Sequence, residues 1–190
     1  AASGRIFLSG DVMYDSFLYF KKKAKIPKFK EQFALATLHR AEITDDLVCL
    51  KSIFYALENS PIPILLPLHP RTKNKIEKHG IILGEKINIT DPLSYFSMLG
   101  HLESCSFVIT DSGGLQKEAY FSGKRCLTIR NETEWVELIS GGFNKLVGAF
   151  ETDTETAFKW AKQPIDGDSC IYGNGNAGEL ILNRLIGYLK

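Results

Sequence analysis

"SFVITDSGGLQKEAYFSGKRCLTI" (106–129) contains the pattern from which we predict the fold. It begins with a short apolar run, turns through two glycines, continues as an amphipathic segment to Gly123 and ends in a second apolar run. Near-continuous apolar strands on either side of a helix are typical of a parallel sheet that is covered on both faces. Glycine at the end of the amphipathic segment is a common helix C-cap. This stretch therefore predicts a strand–helix–strand unit of an α/β domain.

The same alternation runs along the rest of the chain. We predict six buried strands, at 32–38, 62–68, 87–90, 106–110, 125–129 and 145–150. We predict helices at 11–24, 44–59, 72–79, 91–104, 115–123, 132–142, 152–164 and 176–189. Residues that favour helix N-termini place three of the helix starts at Thr44, Asp91 and Thr152. The predicted fold is one Rossmann-like α/β domain, a parallel sheet with helices on both faces.

Composition argues against several classes of function. The 190 residues include 23 basic and 22 acidic side chains, a net charge of +1, so neither nucleic acid nor an anionic membrane is expected as a partner. No apolar run approaches the ~20 residues that span a bilayer. The opening "AASGRIFLSGDV" lacks the basic and apolar regions of a secretory signal, and we expect a cytoplasmic protein.

The cysteines indicate neither a metal site nor a disulfide framework. None of the four has a metal-ligand spacing; they are Cys49, Cys105, Cys126 and Cys170. We expect them to be reduced and mostly buried, and we expect neither a metal nor a cofactor.

Four of the predicted strands are followed by residues that could bind a ligand. His39 and Arg40 follow the first strand, and His69 follows the second. The glycine-rich turn at 111–114 follows the fourth strand, and Arg130 follows the fifth. In an open parallel α/β sheet, ligands bind beyond the carboxyl ends of the strands. We therefore expect these imidazoles, guanidinium groups and backbone amides to lie together at one rim of the sheet.

The turn at 111–114 is the strongest local signal. A glycine-rich turn at the start of a helix presents unpaired N–H groups to an anion, usually a phosphate. Glu118 lies on the same helix face and could accept hydrogen bonds from a ribose diol. Arg40 and Arg130 could each contribute about 1.5–3 kcal/mol to binding a diphosphate. The alternative is a tight turn capped by Ser112, with Glu118 and the arginines in solvent.

One glycine pattern does not support a dinucleotide site. "GNGNAG" (173–178) matches G-x-G-x-x-G, but that fingerprint needs a preceding strand and an acidic residue about 20 positions later. Only twelve residues follow Gly178. We interpret this segment as a loop that caps the final helix.

Five motifs, taken in order, resemble the non-hydrolysing UDP-N-acetylglucosamine 2-epimerases. They are "LATLHRAEITDD" (35–46), "PLHPRT" (67–72), "ITDPLSYFSML" (89–99), "VITDSGGLQKEAYFSGKRCLTIRNETEWVE" (108–137) and "YGNGNAGELI" (172–181). The D-S-G-G-x-Q-x-E run followed by R-x-x-T-E is quite specific, whereas His-Arg and His-Pro alone are weak. The resemblance runs from about Ser9 to the end of the chain.

The resemblance implies a site for UDP and a role for each rim residue. The implied UDP-binding residues are Arg40, Tyr95, Met98, Ser112, Gly113, Gly114, Glu118 and Arg130. Ser112, Gly113 and Gly114 would meet the phosphates, Glu118 the ribose, and the segment from Tyr95 to Met98 the uracil. His39 is implied as a catalytic group near the diphosphate and sugar. His69 would line the same cleft, where some members bind a second, activating UDP-sugar.

The resemblance also implies the architecture and the reaction. The chain would be the C-terminal half of a GT-B fold, with a leading helix and inter-domain hinge at 1–24 and a UDP-binding domain at 25–190. The reaction inverts C2 of the sugar by elimination of UDP to a glycal-like intermediate and re-addition. The catalytic acids belong to an N-terminal domain that has no counterpart here, so we expect the chain alone to be inactive. We expect the full-length protein to be a homodimer in polysaccharide biosynthesis.

Two residues depart from the family pattern, and two other functions compete. Trp135 stands where many members have an arginine, and Met98 where many have an aromatic residue. The Trp-containing version resembles a branch that acts on modified UDP-sugars such as diacetamido uronic acids, which leaves the sugar open. One competing function is the donor-binding half of a GT-B glycosyltransferase. The other is a non-enzymatic, flavodoxin-like regulatory or docking module.

Overall fold

The computed structural model describes residues 6–27, 31–150, 153–165 and 170–189, and it contains one six-stranded parallel sheet. The strands are β1 (Ala34–Thr37), β2 (Ile64–Pro67), β3 (Ile87–Thr90), β4 (Val108–Thr110), β5 (Cys126–Thr128) and β6 (Asn144–Leu146). Their order in the sheet is β3-β2-β1-β4-β5-β6, and every neighbouring pair is parallel. This is the predicted Rossmann-like arrangement, in which the order reverses beside β1.

Nine helices lie in the described part of the chain. They are α1 (Val12–Lys21), α2 (Ala41–Thr44), α3 (Leu47–Glu58), α4 (Pro70–His79), α5 (Tyr95–Ser104), α6 (Gly113–Phe121), α7 (Val136–Ser140), α8 (Thr154–Ala161) and α9 (Ala177–Leu189). Neither α9 nor any other described helix has the length and apolarity that crossing a membrane requires.

The two faces of the sheet bury two separate hydrophobic clusters, because side chains alternate along each strand. Ala34 and Ala36 of β1 belong to a cluster that includes residues of α3 and α8. Leu35 between them belongs to the other cluster, with residues of α1, α5 and α6. Phe17 brings α1 into that second cluster, where it is almost completely buried. The predicted covering of both faces is confirmed, while the division at residue 24 stays a prediction.

Two of the predicted helix starts are wrong. The Asp46 carboxylate, and not Thr44, accepts hydrogen bonds from the first N–H groups of α3, those of Val48 and Cys49. Thr44 instead ends the short helix α2, and its hydroxyl donates to the Arg40 carbonyl. A carboxylate was available two residues further along, so the helix begins there.

The second wrong start is that of α5. Ser94, and not Asp91, caps α5 by accepting a hydrogen bond from the Ser97 N–H at 3.3 Å. The predicted start at Thr152 lies outside the described residues, and α8 begins at Thr154 after the N-cap Asp153. The predicted end of α7 is confirmed, because the helix ends at Ser140, directly before Gly141.

The glycine segment 173–178 is the loop that the sequence predicts, leading into α9. Gly173 and Gly175 have φ angles of +84° and +79°, which glycine adopts without strain. The cap of α9 comes from α1, because the Asp15 carboxylate accepts hydrogen bonds from the N–H groups of Ala177 and Gly178. A carboxylate at a helix N-terminus is favourable, and here it joins the two ends of the described chain.

Cys105 and Cys126 are free thiols. Cys105 and Cys126 are buried as expected, but Cys49 is partly exposed and Cys170 is exposed, so the expectation of mostly buried thiols holds for only two. Among the described residues there is no group of three or more potential metal ligands.

Candidate functional site

The carboxyl ends of β1, β2 and β4 open into a cleft of about 300 Å³. Its lining residues are Met13, Thr37, Leu38, His39, Pro67, His69, Pro92, Leu93, Met98, Ser112, Gly114, Leu115 and Glu118. The Thr37 and Thr110 hydroxyls are 2.6 Å apart and join the ends of β1 and β4. The Thr110 hydroxyl also accepts a hydrogen bond from the Ser112 N–H at 2.9 Å, which fixes the turn that follows β4.

The first turn of α6 faces this cleft with free donors. Ser112 is the N-cap, and its hydroxyl accepts from the Leu115 N–H at 3.4 Å. The N–H groups of Gly113 and Gly114 have no hydrogen-bond partner among the described residues. Gly114 lines the cleft and has room around it, because an added Cβ would come no nearer to another heavy atom than 3.8 Å. Two free amides at a helix N-terminus are suited to bind an anion.

A buried carboxylate holds the adjacent loop in place. Asp111 is completely buried, and one of its oxygens accepts hydrogen bonds from the backbone N–H groups of His39 and Arg40, each at 2.7 Å. Its other oxygen lies 3.1 Å from His39 Nδ1. The hydrogen bond with Asp111 raises the pKa of His39 above its ordinary value, against the opposing effect of burial. His39 is therefore oriented by Asp111 and carries positive charge more readily than a free imidazole.

His69 lies opposite His39 at the end of β2. The two ring centroids are 5.9 Å apart, and both side chains line the cleft. His69 is also the N-cap of α4, since its Nδ1 accepts a hydrogen bond from the Arg71 N–H at 3.2 Å. This bond requires an unprotonated Nδ1 on His69, so the donor that His69 can offer the cleft is Nε2–H.

Glu118 and Tyr95 form a polar pair at the other end of the cleft. Burial raises the pKa of Glu118, while a hydrogen bond from the Tyr95 hydroxyl opposes that rise. Burial and the nearby Glu118 charge raise the pKa of Tyr95 to about 12. Glu118 is partly buried and bonded, so it does not match the alternative of a solvated carboxylate. Met98 lines the cleft on the same helix as Tyr95, which lies at its edge and is 42% exposed.

The two predicted arginines lie beside the cleft and not in its lining. Arg40 and Arg130 both approach the Glu134 carboxylate, at nitrogen–oxygen distances of 3.9 and 2.6 Å. A hydrogen bond from its own backbone N–H, and then the two arginines, lower the pKa of Glu134 against the effect of burial. Glu134 lies so close to Gly113 that a Cβ there would clash with it. Both guanidinium groups are therefore adjacent to the first turn of α6.

Trp135, the departure from the family pattern, contacts the same turn. Its indole N–H donates to the Gly113 carbonyl at 2.8 Å. The buried Lys117 ammonium lies 4.4 Å from the indole ring centroid and pairs with Asp11. Trp135 thus fastens the loop after β5 to α6 by a hydrogen bond and by packing.

The structure brings most of the predicted residues together and adds several that the sequence analysis missed. Six predicted residues line the cleft: His39, His69, Met98, Ser112, Gly114 and Glu118. Arg40, Tyr95, Gly113 and Arg130 lie next to it. The missed residues are Met13, Asp111 as a partner of His39, and Glu134. Asp111 had a usable signal, since an acid that directly ends a buried strand must find donors. Glu134 ends the R-x-x-T-E motif but was given no role, and Met13 belongs to none of the quoted motifs.

These features define a class: a Rossmann-like domain in which a helix N-terminus with free amides lies at the carboxyl edge of the sheet. Comparison with known proteins then gives the family. The family model for UDP-N-acetylglucosamine 2-epimerase matches residues 1–186, and the chain belongs to that family.

Individual relatives agree with this assignment. The chain is 45% identical over 190 residues to the UDP-2,3-diacetamido-2,3-dideoxy-D-glucuronate 2-epimerase of Pseudomonas aeruginosa, covering 96% of this chain and 53% of that protein. It is 30% identical over 207 residues to the UDP-N-acetylglucosamine 2-epimerase of Methanococcus maripaludis, covering 98% and 56%.

A solved structure agrees as well. The UDP-GlcNAc 2-epimerase of Methanocaldococcus jannaschii in complex with UDP-GlcNAc and UDP has a TM-score of 0.77 and 30% identity to this chain, covering 96% of this chain and 55% of that one. The chain thus spans about half the length of the relatives it matches, and it corresponds to their C-terminal part.

The Asp111–His39 pair predicts a change in the titration of His39. In Asp111→Asn, the amide oxygen can still accept from the backbone, but the charge opposite Nδ1 is lost, so the His39 pKa should fall. Because Asp111 raises the His39 pKa, its contribution to stability is present below the ordinary value of 6.5 and is lost as pH rises through the raised value. Imidazole NMR signals across pH would measure the shift.

A matched control is Asp153→Asn, which removes an exposed carboxylate from the N-cap of α8 and keeps a capping side chain. It should leave the His39 titration unchanged. Equal His39 pKa values in Asp111→Asn and the unmodified chain would contradict the assigned pairing.

Proposed function

We propose that this chain is the UDP-binding half of a UDP-sugar 2-epimerase, and that its cleft binds UDP as the leaving group. The observation that carries the proposal is the first turn of α6, whose free Gly113 and Gly114 amides lie at a cleft that also contains Glu118 and His39. The donors suit a diphosphate and the carboxylate suits a ribose diol. Membership of the family supports the choice of UDP, as does the complex of the Methanocaldococcus jannaschii relative with UDP-GlcNAc and UDP.

The proposed mechanism uses the charges of the rim. Breaking the bond between the sugar and UDP puts negative charge on the diphosphate, and preorganised donors lower the energy of that transition state. The donors in this chain are the α6 amides, the arginines Arg40 and Arg130, and His39, whose pKa the Asp111 carboxylate raises. They supply the stabilising positive charge, so we propose no metal and no cofactor.

Removal of the C2 proton needs a base, which the family resemblance assigns to the N-terminal domain. We propose that this chain therefore holds UDP and completes the active site only when that domain is present.

The nucleoside would occupy the other end of the cleft. Glu118 would accept hydrogen bonds from the ribose hydroxyls, because a carboxylate that accepts one bond from Tyr95 keeps further oxygen lone pairs. Met98 and Leu93 offer an apolar surface to the uracil. His69 lies across the cleft from His39, where its free Nε2 could contact the sugar or a second nucleotide.

The wider setting follows from the same proposal. We propose that the full-length protein works in the cytoplasm, as a homodimer, in polysaccharide biosynthesis. The sugar is of the N-acetylglucosamine type, either UDP-N-acetylglucosamine or the diacetamido glucuronate named for the Pseudomonas relative. Trp135, next to Gly113, occupies a position where many family members have an arginine. The charge of that particular arginine is therefore absent here, while Arg40 and Arg130 remain.

A second domain would cover an apolar surface that this chain leaves open. Every residue of α9 from Gly178 to Tyr188 is exposed, and six large apolar side chains among them are 38–56% exposed. A groove of about 850 Å³ separates this helix from residues 7–9. A helix with large apolar side chains on several of its faces is normally buried. We propose that the N-terminal half of the full-length protein packs here, since the relatives are nearly twice as long.

Hydrogen exchange tests this surface. In the 190-residue chain, the amides of α9 should exchange fast, because its residues from Gly178 to Tyr188 are exposed and it is held by the Asp15 cap at its first turn and by Arg184 against the Phe7 ring. In the full-length protein the same amides should be protected by at least about tenfold, since a covered helix opens less often. The amides of α3 serve as the internal control and should be equally protected in both proteins. Equal exchange of α9 in both would contradict docking on this face.

Binding of UDP to the chain can be tested with Gly114→Ala. The isolated chain should bind UDP with a Kd of about 0.1 to several mM, since the open site stays wet. The added methyl group fits the free domain but occupies the space of the phosphate, and UDP binding should weaken roughly ten- to a hundredfold by calorimetry. Gly187→Ala, in α9 where no heavy atom lies within 4 Å of an added Cβ, is the control. Unchanged UDP affinity in Gly114→Ala would contradict the site.

A product assay on the full-length protein separates epimerisation from glycosyl transfer. An epimerase converts a UDP-sugar to its C2 epimer with no acceptor present, and solvent deuterium should enter at C2. The 190-residue chain alone should give no product. Conversion that requires an acceptor would favour the glycosyltransferase, and a protein that binds no nucleotide would favour the regulatory module.

A further inference from the structure

Glu134 lies where a bound anion would be expected. Its carboxylate approaches Arg130 at 2.6 Å and Arg40 at 3.9 Å, and it lies against the first residue of α6, Gly113. A helix N-terminus and two guanidinium groups are together a strong attractor for negative charge. In the structure, the side chain of Glu134 supplies this negative charge.

The residues on both sides of Glu134 are anchored to α6, whereas the Glu134 side chain is held by its own backbone N–H and by the two arginines. The hydroxyl of Thr133 donates to the Gln116 side-chain oxygen at 2.8 Å, and the indole of Trp135 donates to the Gly113 carbonyl. Both partners belong to α6. The Glu134 side chain between them is 42% exposed, so it can rotate into solvent without breaking either anchor.

A diphosphate and Glu134 compete for the same guanidinium groups. An ion pair that is partly exposed is worth little, so a doubly or triply charged ligand can displace it. As long as the carboxylate stays between the arginines, however, it repels an incoming phosphate and occupies their donors. The ion pairs therefore lower the apparent affinity for any anion at the α6 N-terminus.

We infer that Glu134 is an internal competitor of the diphosphate, which holds Arg40 and Arg130 in place when the site is empty and turns into solvent when the nucleotide binds. This inference rests on the proposed function, because it requires a diphosphate at the first turn of α6. It adds a residue that sets affinity and release: a carboxylate that returns to the arginines speeds the departure of UDP.

The test compares Glu134→Gln with Glu132→Gln in the 190-residue chain. Both variants remove one negative charge from the same exposed loop, but Glu132 has no ion pair among the described residues. Affinities for UDP, inorganic pyrophosphate and uridine would be measured by calorimetry. Glu134→Gln should bind UDP and pyrophosphate about three- to fivefold more tightly than the unmodified chain, and Glu132→Gln less than about 1.5-fold more tightly. Uridine should bind equally to all three.

The outcomes separate this inference from the proposed function. If the unmodified chain binds UDP but Glu134→Gln binds it equally or more weakly, Glu134 supports the arginines or contacts the ligand, and the inference is wrong. A gain in uridine affinity as large as that for UDP also contradicts it. If no variant binds UDP or pyrophosphate at millimolar concentration, the nucleotide site itself is refuted, and the inference with it.

Discussion

The buried carboxylate of Asp111 is the interaction on which the site depends. It ends β4 without exposure to solvent, and three groups from the loop after β1 surround it: two backbone N–H groups, of His39 and Arg40, and the His39 imidazole. A charge is stable in such a place only when several donors satisfy it. Once they do, the loop after β1 is tied to the turn after β4. His39, Arg40 and the first turn of α6 thus lie side by side.

The site separates charge along its length. Positive groups collect around the first turn of α6, where His39, Arg40 and Arg130 add to the helix N-terminus. Glu118 lies four residues further along the same helix, with Tyr95 as its partner. A ligand that carries phosphates at one end and a diol at the other matches this order. Gly114 and Glu118 are four residues apart on α6, about one helical turn, and this sets the distance between the proposed phosphate and diol contacts.

The strands and the rim could be predicted from the sequence because both follow from local pattern. Buried parallel strands are apolar throughout, and their carboxyl ends are fixed by the residues that follow them. The helix starts were harder to predict, because several residues that can cap a helix lie close together. The N-cap of α3 is Asp46 and not Thr44, and the N-cap of α5 is Ser94 and not Asp91. The contacts of Glu134, although it ends the R-x-x-T-E motif, and the place of Met13 in the cleft could not be predicted. Their positions depend on how a loop and α1 pack against α6, which no local pattern encodes.

We propose that the first turn of α6 binds the diphosphate of UDP. An amide NMR titration of the 190-residue chain with UDP is the most direct test. With uridine as the control, UDP should shift the amide signals of Ser112, Gly113 and Gly114 far more than uridine does. If millimolar UDP moves none of these amides, or if uridine moves them as much, the first turn of α6 is not the phosphate site.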